Sequence, residues 1–316
     1  MKKHIIKIVI LAVWASLMGW WWHESRSWPV PEKIDVAFLP DFYDNFSVNF
    51  NGQKVGWAFK SLRRQPNNDY QGTQGLTLKV RLGEQTLEIS STVMVNMGPS
   101  LNLKDFQYLI QAGDLAVAER GTVAGNYLSV MVSLGEYAPM MKSLAEEIGP
   151  MLGEHARLLD FDREVVLPAP DGPALAAVFP PFLSHLGLIP GRNYSLATLD
   201  AFSRTMVTTT IRVEEETREY DPEAGRDQPV FKIRSGSSGQ EVFLWIDRYG
   251  RTLREEGLGF SLSRVDDLAA AMRDVEPLTP PAAFQRLLQG RGFNKLLETI
   301  ETQRVERENK TKPPAR

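Results

Sequence analysis

The chain has 316 residues, of which 43% are hydrophobic and 24% are charged, and its net charge is -3 at pH 7. This composition is ordinary for a globular protein and excludes disorder of the whole chain. No long basic block lies within the body of the sequence, so no nucleic-acid partner is predicted. The chain has no cysteine, which excludes disulfides, a thiolate nucleophile and a lipid-modified N-terminal cysteine.

The first 22 residues predict a membrane anchor. Lysines precede an apolar run, and a helix over residues 5–22 would be about 27 Å long, close to the thickness of a hydrocarbon core. The run ends in Trp20, Trp21 and Trp22, which suit the membrane interface, rather than in the small residues of a cleavage site. The positive-inside rule then predicts a single-pass protein of the bacterial inner membrane, with its soluble domain in the periplasm.

Two other interpretations of this N-terminal segment stay open. Cleavage after Ser16 or Gly19 would release a periplasmic protein, and a helix buried in the fold would also be apolar. Residues 23–42 are predicted to be a spacer, because the prolines of WPVPEK are incompatible with a helix.

An Asn-Gly dipeptide at 51–52 predicts the first β-hairpin, since both central positions of a type I′ turn need a positive φ. This turn pairs FSVNF with KVGWAFKSL and sets Val48 opposite Val55 and Phe46 opposite Trp57. The four residues then share one face of the hairpin. We expect this face to belong to the core or, in a curled sheet, to line an apolar ligand.

Strands separated by turn signals dominate residues 43–275, the predicted periplasmic domain. LTLKVRL alternates, with Leu76, Leu78 and Val80 on one face. TMVTTTIRVEEE, PVFKIRS and QEVFLWID follow later, and Gly250 suits the left-handed position of a hairpin turn. These strands predict a mainly antiparallel, strongly curled sheet that resembles a half-barrel or barrel.

Helical patterns complete an α+β fold class. An insertion near 137–188 contains APMMKSLAEEIGPML, whose apolar residues have helical spacing, and a short helix that Pro180-Pro181 interrupts and that ends near Gly187. Residues 276–308 predict a C-terminal helical segment with a possible docking stripe, and residues 309–316 a disordered tail. The stripe consists of Phe284, Leu287 and Leu288.

No motif points to catalysis or to a cofactor. The four histidines form no HExxH or HxH pattern, and neither a GxSxG elbow nor a phosphate-binding glycine motif occurs. Acidic residues around Asp221, Glu223 and Asp227 lack the spacing of a calcium loop and are predicted to form a solvent-exposed turn. The carboxylate pair of a glycosidase meets only in the fold, so a hydrolase stays an alternative.

Several phrases occur together in a known order. They are NFNGQKVGWAFKSLRR, LKDFQYLIQAGDLAVAERGTVAGNYLSV, LGLIPGRNYSLATLDAFSRT and VFLWIDRYGRTLREEGLGFSLSRV, and together they cover roughly residues 46–272. This part of the chain resembles the periplasmic region found N-terminal to bacterial transglutaminase-like domains, and related stand-alone envelope proteins of unknown function. The transglutaminase activity does not carry over, because its triad needs a cysteine.

These observations predict a membrane-anchored periplasmic protein without enzymatic activity. It would act as a binding or scaffold protein of the bacterial envelope and hold an apolar ligand, such as a lipid, or a partner protein. The alternatives are a carboxylate-based envelope hydrolase and a structural subunit that docks through its C-terminal helix. An apolar cavity would favour ligand binding, and an exposed apolar stripe would favour assembly.

Overall fold

The fold is known from a computed structural model. The residues that the structure describes are 39–82, 85–112, 115–133, 164–168, 179–185, 187–200, 205–237 and 240–279. The predicted anchor with Trp20–Trp22, most of the predicted insertion and the stripe of Phe284, Leu287 and Leu288 lie outside them. In the described ranges, no helix combines the length and apolarity needed to cross a membrane.

Fourteen strands and two short helices make up the described part of the chain. The strands are β1 (Phe42–Phe50), β2 (Gln53–Arg64), β3 (Tyr70–Leu82), β4 (Gln85–Met97), β5 (Leu103–Ala112), β6 (Leu115–Ala124), β7 (Tyr127–Ser133), β8 (Glu164–Pro168), β9 (Asn193–Asp200), β10 (Thr205–Asp221), β11 (Arg226–Ser237), β12 (Gln240–Ile246), β13 (Thr252–Gly257) and β14 (Phe260–Val265). The helices are α1 (Phe179–His185) and α2 (Leu268–Met272).

All fourteen strands belong to one sheet, in the order β8-β7-β6-β5-β4-β3-β2-β1-β14-β13-β12-β11-β10-β9. Every neighbouring pair is antiparallel. The chain therefore forms two meanders, β1–β8 and β9–β14, which are joined where β1 pairs with β14. The predicted antiparallel sheet is confirmed.

The two ends of the strand order approach each other. Leu199 of β9 and Met206 of β10 pack in one apolar cluster with Leu128 and Val130 of β7. Because these strands lie at opposite ends of the order, the sheet must curl for them to meet. No ladder joins β8 to β9 among the described residues, so the sheet is curled but not closed. We call the face that carries Leu128 and Val130 the concave face, and the other the convex face.

Two glycines allow aromatic rings to lie directly on the neighbouring strand. Gly121 is opposite Phe106 and Gly75 is opposite Phe59. A Cβ atom at Gly121 would lie 2.0 Å from Cε1 of Phe106, and one at Gly75 would lie 2.1 Å from Cε1 of Phe59. Aromatic-glycine pairs of this kind occur in curved sheets, because the missing side chain of the glycine leaves room for the ring.

The predicted turn of the first hairpin is confirmed, but the predicted register is wrong beyond it. Asn51 and Gly52 have φ values of 48° and 83°, as a type I′ turn requires. The register then shifts, so that Val48 pairs with Gly56 instead of Val55. Val55 is the additional residue of a β-bulge, which places two residues of one strand opposite one of the other.

The bulge separates the four residues that were predicted to share one face. Phe46, Val48 and Val55 are buried and belong to the core. Trp57 pairs with Ser47, and because successive strand residues point to opposite faces, its ring lies on the convex face. Trp57 is half-buried there.

The helix α1 also departs from the prediction. Pro180 and Pro181 lie in its first turn, where a missing N–H breaks no helical hydrogen bond, so they do not interrupt it. Gly187 follows α1 with a φ of +76°, close to the predicted end. Gly250 has the predicted left-handed φ, +80°, and a Cβ atom there would lie 2.4 Å from the Pro180 carbonyl oxygen. The turn therefore packs against α1.

After α2, residues 276–278 form an extended strap. The Glu276 N–H donates to the Lys54 carbonyl at 2.9 Å, and the Leu278 N–H donates to the Lys79 carbonyl at 2.8 Å. The Arg81 N–H donates in turn to the Leu278 carbonyl at 2.7 Å. The predicted C-terminal helical segment, residues 276–308, thus begins with this strap, and its residues from 280 onwards lie outside the described chain.

Candidate functional site

The strand registers align six side chains in one transverse row, which we call the polar row. Directly opposite residues of antiparallel strands share a face, and the row follows such pairs from β1 to β6. Its first member lies two residues from buried Phe46, which places the row on the concave face. The members are Asp44, Lys60, Gln74, Val93, Tyr108 and Glu119.

Apolar side chains flank the polar row on both sides. One neighbouring row belongs to the cluster that joins the two ends of the sheet, and it contains Leu62, Val95, Phe106 and Val130. The other neighbouring row is apolar except for its β4 member, and it contains Phe46, Ala58, Leu76, Ser91, Ile110 and Val117. On strands β1 to β6, the polar row therefore lies between two rows that are apolar except for Ser91.

The β1 end of the polar row is a network of ion pairs. Asp44 accepts from the Nη2 atoms of Arg251 at 2.7 Å and Arg264 at 2.8 Å. Arg264 also binds Asp221 through Nη1 at 3.0 Å. Glu223 accepts from Arg251 at 2.6 Å and also from Arg264. The predicted solvent-exposed turn is therefore wrong for Asp221, which is only 4% exposed.

This network satisfies charges that would be costly to bury alone. A hydrogen bond from Arg251, followed by the charges of Arg251 and Arg264, lowers the pKa of Glu223 although partial burial opposes this effect. Burial alone would lower the pKa of Arg251, but the hydrogen bonds and charges of Asp44 and Glu223 outweigh it and raise that pKa. Burial raises the pKa of Asp247, and backbone N–H groups of the same turn oppose the shift.

The second charge of the row is also paired. Lys60 Nζ lies 2.7 Å from Glu255 Oε2, and both side chains are largely buried. Lys60 also lies over the Phe46 ring, 5.5 Å from its centroid. Because β1 and β14 separate β2 from β13 in the sheet, this ion pair links side chains across the concave face.

The β5–β6 end of the row contains a phenol beside a carboxylate. Tyr108 is directly opposite Glu119, which is 5% exposed, and Ser91 is 6% exposed. Burial raises the pKa of Tyr108 well above 10, and the charge of Glu119 raises it further, while a hydrogen bond with Ser91 lowers it in part. The phenol is therefore protonated at neutral pH.

The row is buried at its two terminal residues, Asp44 and Glu119, and is more accessible between them. Gln74, Leu76, Val93 and Tyr108 are half-buried, although residues on both sides of them are buried. The Gln74 amide makes no hydrogen bond within the described structure. These side chains of β3, β4 and β5 are therefore partly accessible on the concave face, and they are apolar or uncharged.

The structure brings together only part of the predicted site. Phe46, Val48 and Val55 lie in the core next to the polar row, whereas Trp57 lies on the convex face with Lys79 Nζ 5.8 Å from its ring centroid. Sequence reasoning missed the polar row, because its members come from six strands. Its only local signal is a polar residue at an inward position, such as Lys60 between Ala58 and Leu62. No group of three potential ligand residues is arranged for a metal ion within the described ranges.

No family model matches the chain, and no curated protein matches it. The fold is similar to the crystal structure of a beta-barrel-like protein, a domain of unknown function (DUF1849) from Brucella abortus. The TM-score is 0.50 at 12% identity, over 73% of this chain and 96% of that one. A DUF1089 family protein from Pseudomonas aeruginosa has a TM-score of 0.36 at 12% identity, over 74% and 98% of the two chains. The first likeness concerns the fold alone, and the resemblance to transglutaminase-associated regions stays a prediction.

Proposed function

We propose that this chain is a non-enzymatic binding protein that holds an apolar ligand on its concave face. The observation that carries the proposal is the partial accessibility of Leu76, Val93, Tyr108 and Gln74 on the concave face, where the residues beside them on the same strands are buried. A ligand placed there would remove apolar surface from water, which stabilises a complex by about 25 cal/mol per Å2 of buried area. Strongly curled antiparallel sheets commonly hold a small ligand in this way.

The charged groups near the site support binding rather than hydrolysis. A carboxylate-based hydrolase needs an acid and a base that face a cleft. Asp44, Asp221 and Glu223, the carboxylates that the β1 end gathers, are all bound to arginine. The uncharged groups at the centre of the row are those that are partly accessible.

We also propose that the domain is held in the periplasm by the N-terminal anchor. Leu39 donates from its N–H to the Tyr70 hydroxyl at 3.4 Å, so the described chain begins at the Tyr70 end of β3. The strap contacts Val80, about 33 Å away at 3.3 Å per residue. The anchor would therefore lead into the sheet at the Tyr70 end of β3, whereas the strap lies at the other end of that strand. Cell fractionation should recover the full-length protein in the membrane fraction, and a shortened soluble species would contradict the anchor.

The binding function is tested by changing this accessible surface. The full-length protein would be purified in mild detergent and its retained small molecules identified by native mass spectrometry. Val93→Trp places a large ring over the centre of the row and should abolish retention. Met94→Trp is the matched control, because Met94 is the next residue, points to the convex face and is 38% exposed.

Two outcomes would overturn the proposal. One is a protein that carries no apolar ligand before or after incubation with lipid extract, and the other is equal retention by the Val93→Trp and Met94→Trp proteins. Circular dichroism and thermal melting show whether Val93→Trp folds. If it does not fold, Leu76→Phe alters the same surface with a smaller change in volume, and it should reduce retention without loss of the sheet.

A further inference from the structure

We infer that the strap, residues 276–278, is exchanged between two copies of this chain, so that the strap of each copy pairs with β3 of the other. Such an exchange needs no ligand and is separate from the proposed function. Three features of the chain support it, namely the edge of β3 that the strap covers, the few contacts that hold the strap there and the strained hinge that precedes it.

The strap covers an edge of β3 that β2 leaves open. The ladder between β2 and β3 ends at Gly56 and Leu78, whereas β3 continues beyond this point and stays paired with β4. In the described part of the chain, the strap is what pairs with residues 79–81 on that side, through a parallel bridge between Val80 and Leu278. An open strand edge is a template on which another extended segment can pair. The strap therefore occupies a site for strand addition.

Few contacts hold the strap at this site. Three backbone hydrogen bonds join it to Lys54, Lys79 and Arg81, and the Glu276 side chain accepts one more from Gln53 Nε2 at 3.1 Å. Of the three strap residues, one is exposed and two are half-buried. An element with exposed hydrogen bonds and little buried apolar area opens at a small cost in free energy. The strap can therefore leave β3 while the sheet stays folded.

The hinge before the strap contains a strained residue. Asp274 has a φ of 55°, a left-handed conformation that residues with a side chain adopt at a cost, although aspartate tolerates it better than most. The hinge is short, because only residues 273–275 separate α2 from the strap. α2 itself is fixed to the domain, since Lys54 Nζ donates to the Ala270 carbonyl at 2.8 Å and Ala271 is buried. Short hinges under strain favour exchange, because the hinge relaxes when the strap reaches a second copy.

The partner is a second copy of this chain, because the edge of β3 already accepts this segment. In an exchanged dimer, each strap would make the hydrogen bonds that it makes here within one chain, so no new surface is required. Pro277 suits this position, since it lies between two residues whose N–H groups pair with the sheet and has no N–H of its own to leave unpaired. Two such contacts related by a two-fold axis close the assembly at a dimer.

Engineered cysteines test the exchange, because the chain has none of its own. Two full-length chains with different tags would be co-expressed, one with Val80→Cys and the other with Leu278→Cys. They would be purified in mild detergent, oxidised and separated by non-reducing gel electrophoresis. A disulfide between the two chains requires the strap of one copy to lie on β3 of the other, since its Cα atoms must be about 4.4–6.8 Å apart.

The matched control replaces Leu278→Cys by Thr279→Cys, because Thr279 is the next residue and is exposed. Val80 is only 6% exposed, so chance collisions reach a cysteine there poorly from either position. We expect at least about tenfold more linked heterodimer with Leu278→Cys than with Thr279→Cys, because only the first residue is paired with Val80. Equal yields of linked heterodimer would overturn the inference and leave the proposed function intact.

Two substitutions at the hinge should change this yield in opposite directions. Asp274→Gly relieves the strain of the hinge, since glycine adopts a positive φ freely, and should lower the yield about fivefold. Asp274→Pro fixes φ at about −65° and excludes the hinge conformation of the single chain, so it should raise the yield. Arg273 already has the extended backbone that a residue before proline needs, with φ of −68° and ψ of 142°.

Asn68→Gly is the control for the hinge variants. Asn68 has a φ of 64° in the turn between the paired strands β2 and β3, so relief of strain there should leave the yield unchanged. Circular dichroism shows whether each variant folds, and if Asp274→Pro does not, the comparison of Asp274→Gly with the unchanged hinge decides. An Asp274→Gly yield equal to that of the unchanged hinge would mean that the hinge does not drive exchange, and the inference would be wrong.

Discussion

The two ends of the polar row satisfy their polar groups in different ways. At the β1–β2 end, Asp44 and Lys60 form ion pairs with side chains of the C-terminal strands and turns. At the β5–β6 end, Tyr108 and Glu119 lie beside Ser91, all three on neighbouring strands of one meander. The first end therefore links the two meanders, whereas the pairing of Tyr108 with Glu119 joins neighbouring strands of one meander.

This difference separates a structural role from a binding role within one row. Partners at the β1–β2 end are far apart in sequence: Arg251 lies 207 positions after Asp44, and Glu255 lies 195 positions after Lys60. Contacts of this kind hold the curl in place, and they pair both charges that this end of the row contains. The uncharged centre lies next to them, so the curl that the ion pairs stabilise also shapes the surface around Gln74.

The largest expected effect comes from breaking the charged end. Arg264→Met would leave the buried carboxylate of Asp221 without its cation and remove one of the two cations on Asp44. We expect the free energy of unfolding to fall by about 3–5 kcal/mol, because an uncompensated buried charge is strongly destabilising. Urea unfolding followed by tryptophan fluorescence measures the loss.

The control for this experiment is an arginine in a more exposed pair. Arg234 is about one third exposed and pairs with Glu214 and Glu241. Arg234→Met should cost less than about 1 kcal/mol, the usual range for surface ion pairs. Equal losses of unfolding free energy in the two variants would show that the Arg264 network stabilises the fold no more than a surface ion pair does. The structural role assigned to the charged end of the row would then be wrong.

The opposite end of the row should respond to alkaline pH. The pKa of Tyr108 is raised in the folded protein, first by burial and then by Glu119, so the folded state retains a proton that the unfolded state releases near pH 10. The stability associated with the protonated phenol is complete below that pH and is lost as pH rises towards the folded pKa. The loss is about 1.4 kcal/mol for each unit by which the two pKa values differ.

Tyr108→Phe tests this expectation, because phenylalanine cannot ionise. Urea unfolding at several pH values between 9 and 11 should show a shallower decline in stability for this variant than for the unchanged protein. A residual decline is expected, since burial also raises the pKa of Tyr194. Tyr43→Phe is the control, because Tyr43 is 57% exposed, and it should leave the decline unchanged. If Tyr108→Phe also leaves it unchanged, the phenol is not enclosed as described.

Much of the architecture could be predicted from local sequence. Alternation placed Leu78 and Val80 on the buried face of β3, and the Asn-Gly dipeptide at 51–52 specified a turn with two positive φ values. Register could not be predicted beyond that turn, because Val55 forms a bulge whose position depends on the neighbouring strand. A Cβ atom on Gly56 would lie 2.0 Å from the Thr77 carbonyl oxygen, a close approach that nothing within the hairpin itself indicates.

The polar row could not be predicted, for a related reason. Each member occupies an inward position that looks like an ordinary polar interruption of its own strand. Five successive ladders are needed to bring Asp44 and Glu119 into one row, and a shift of one residue in any ladder would move the remainder to the other face. The acidic turn near Asp221 was misjudged in the same way, because its partner Arg264 lies 43 positions away.

The smallest expected effect concerns Glu223, the exposed edge of the charged end. A hydrogen bond from Arg251 and the nearby guanidinium charges lower its pKa, but its side chain is 64% exposed, so solvent screens the interaction. Glu223→Gln should therefore lower the free energy of unfolding by less than about 1 kcal/mol at pH 7.

The effect of this substitution should depend on pH. A lowered pKa contributes stability above the unfolded value of 4.5, and this contribution disappears as pH falls through the folded pKa. The difference between the two proteins in urea unfolding should thus vanish in acid and shrink in 1 M salt. Asp227→Asn, an exposed change in the same hairpin, is the control and should show neither dependence. A loss as large as that of Arg264→Met would mean that Glu223 belongs to the buried network, and the boundary between the charged end and solvent would have to be moved outwards.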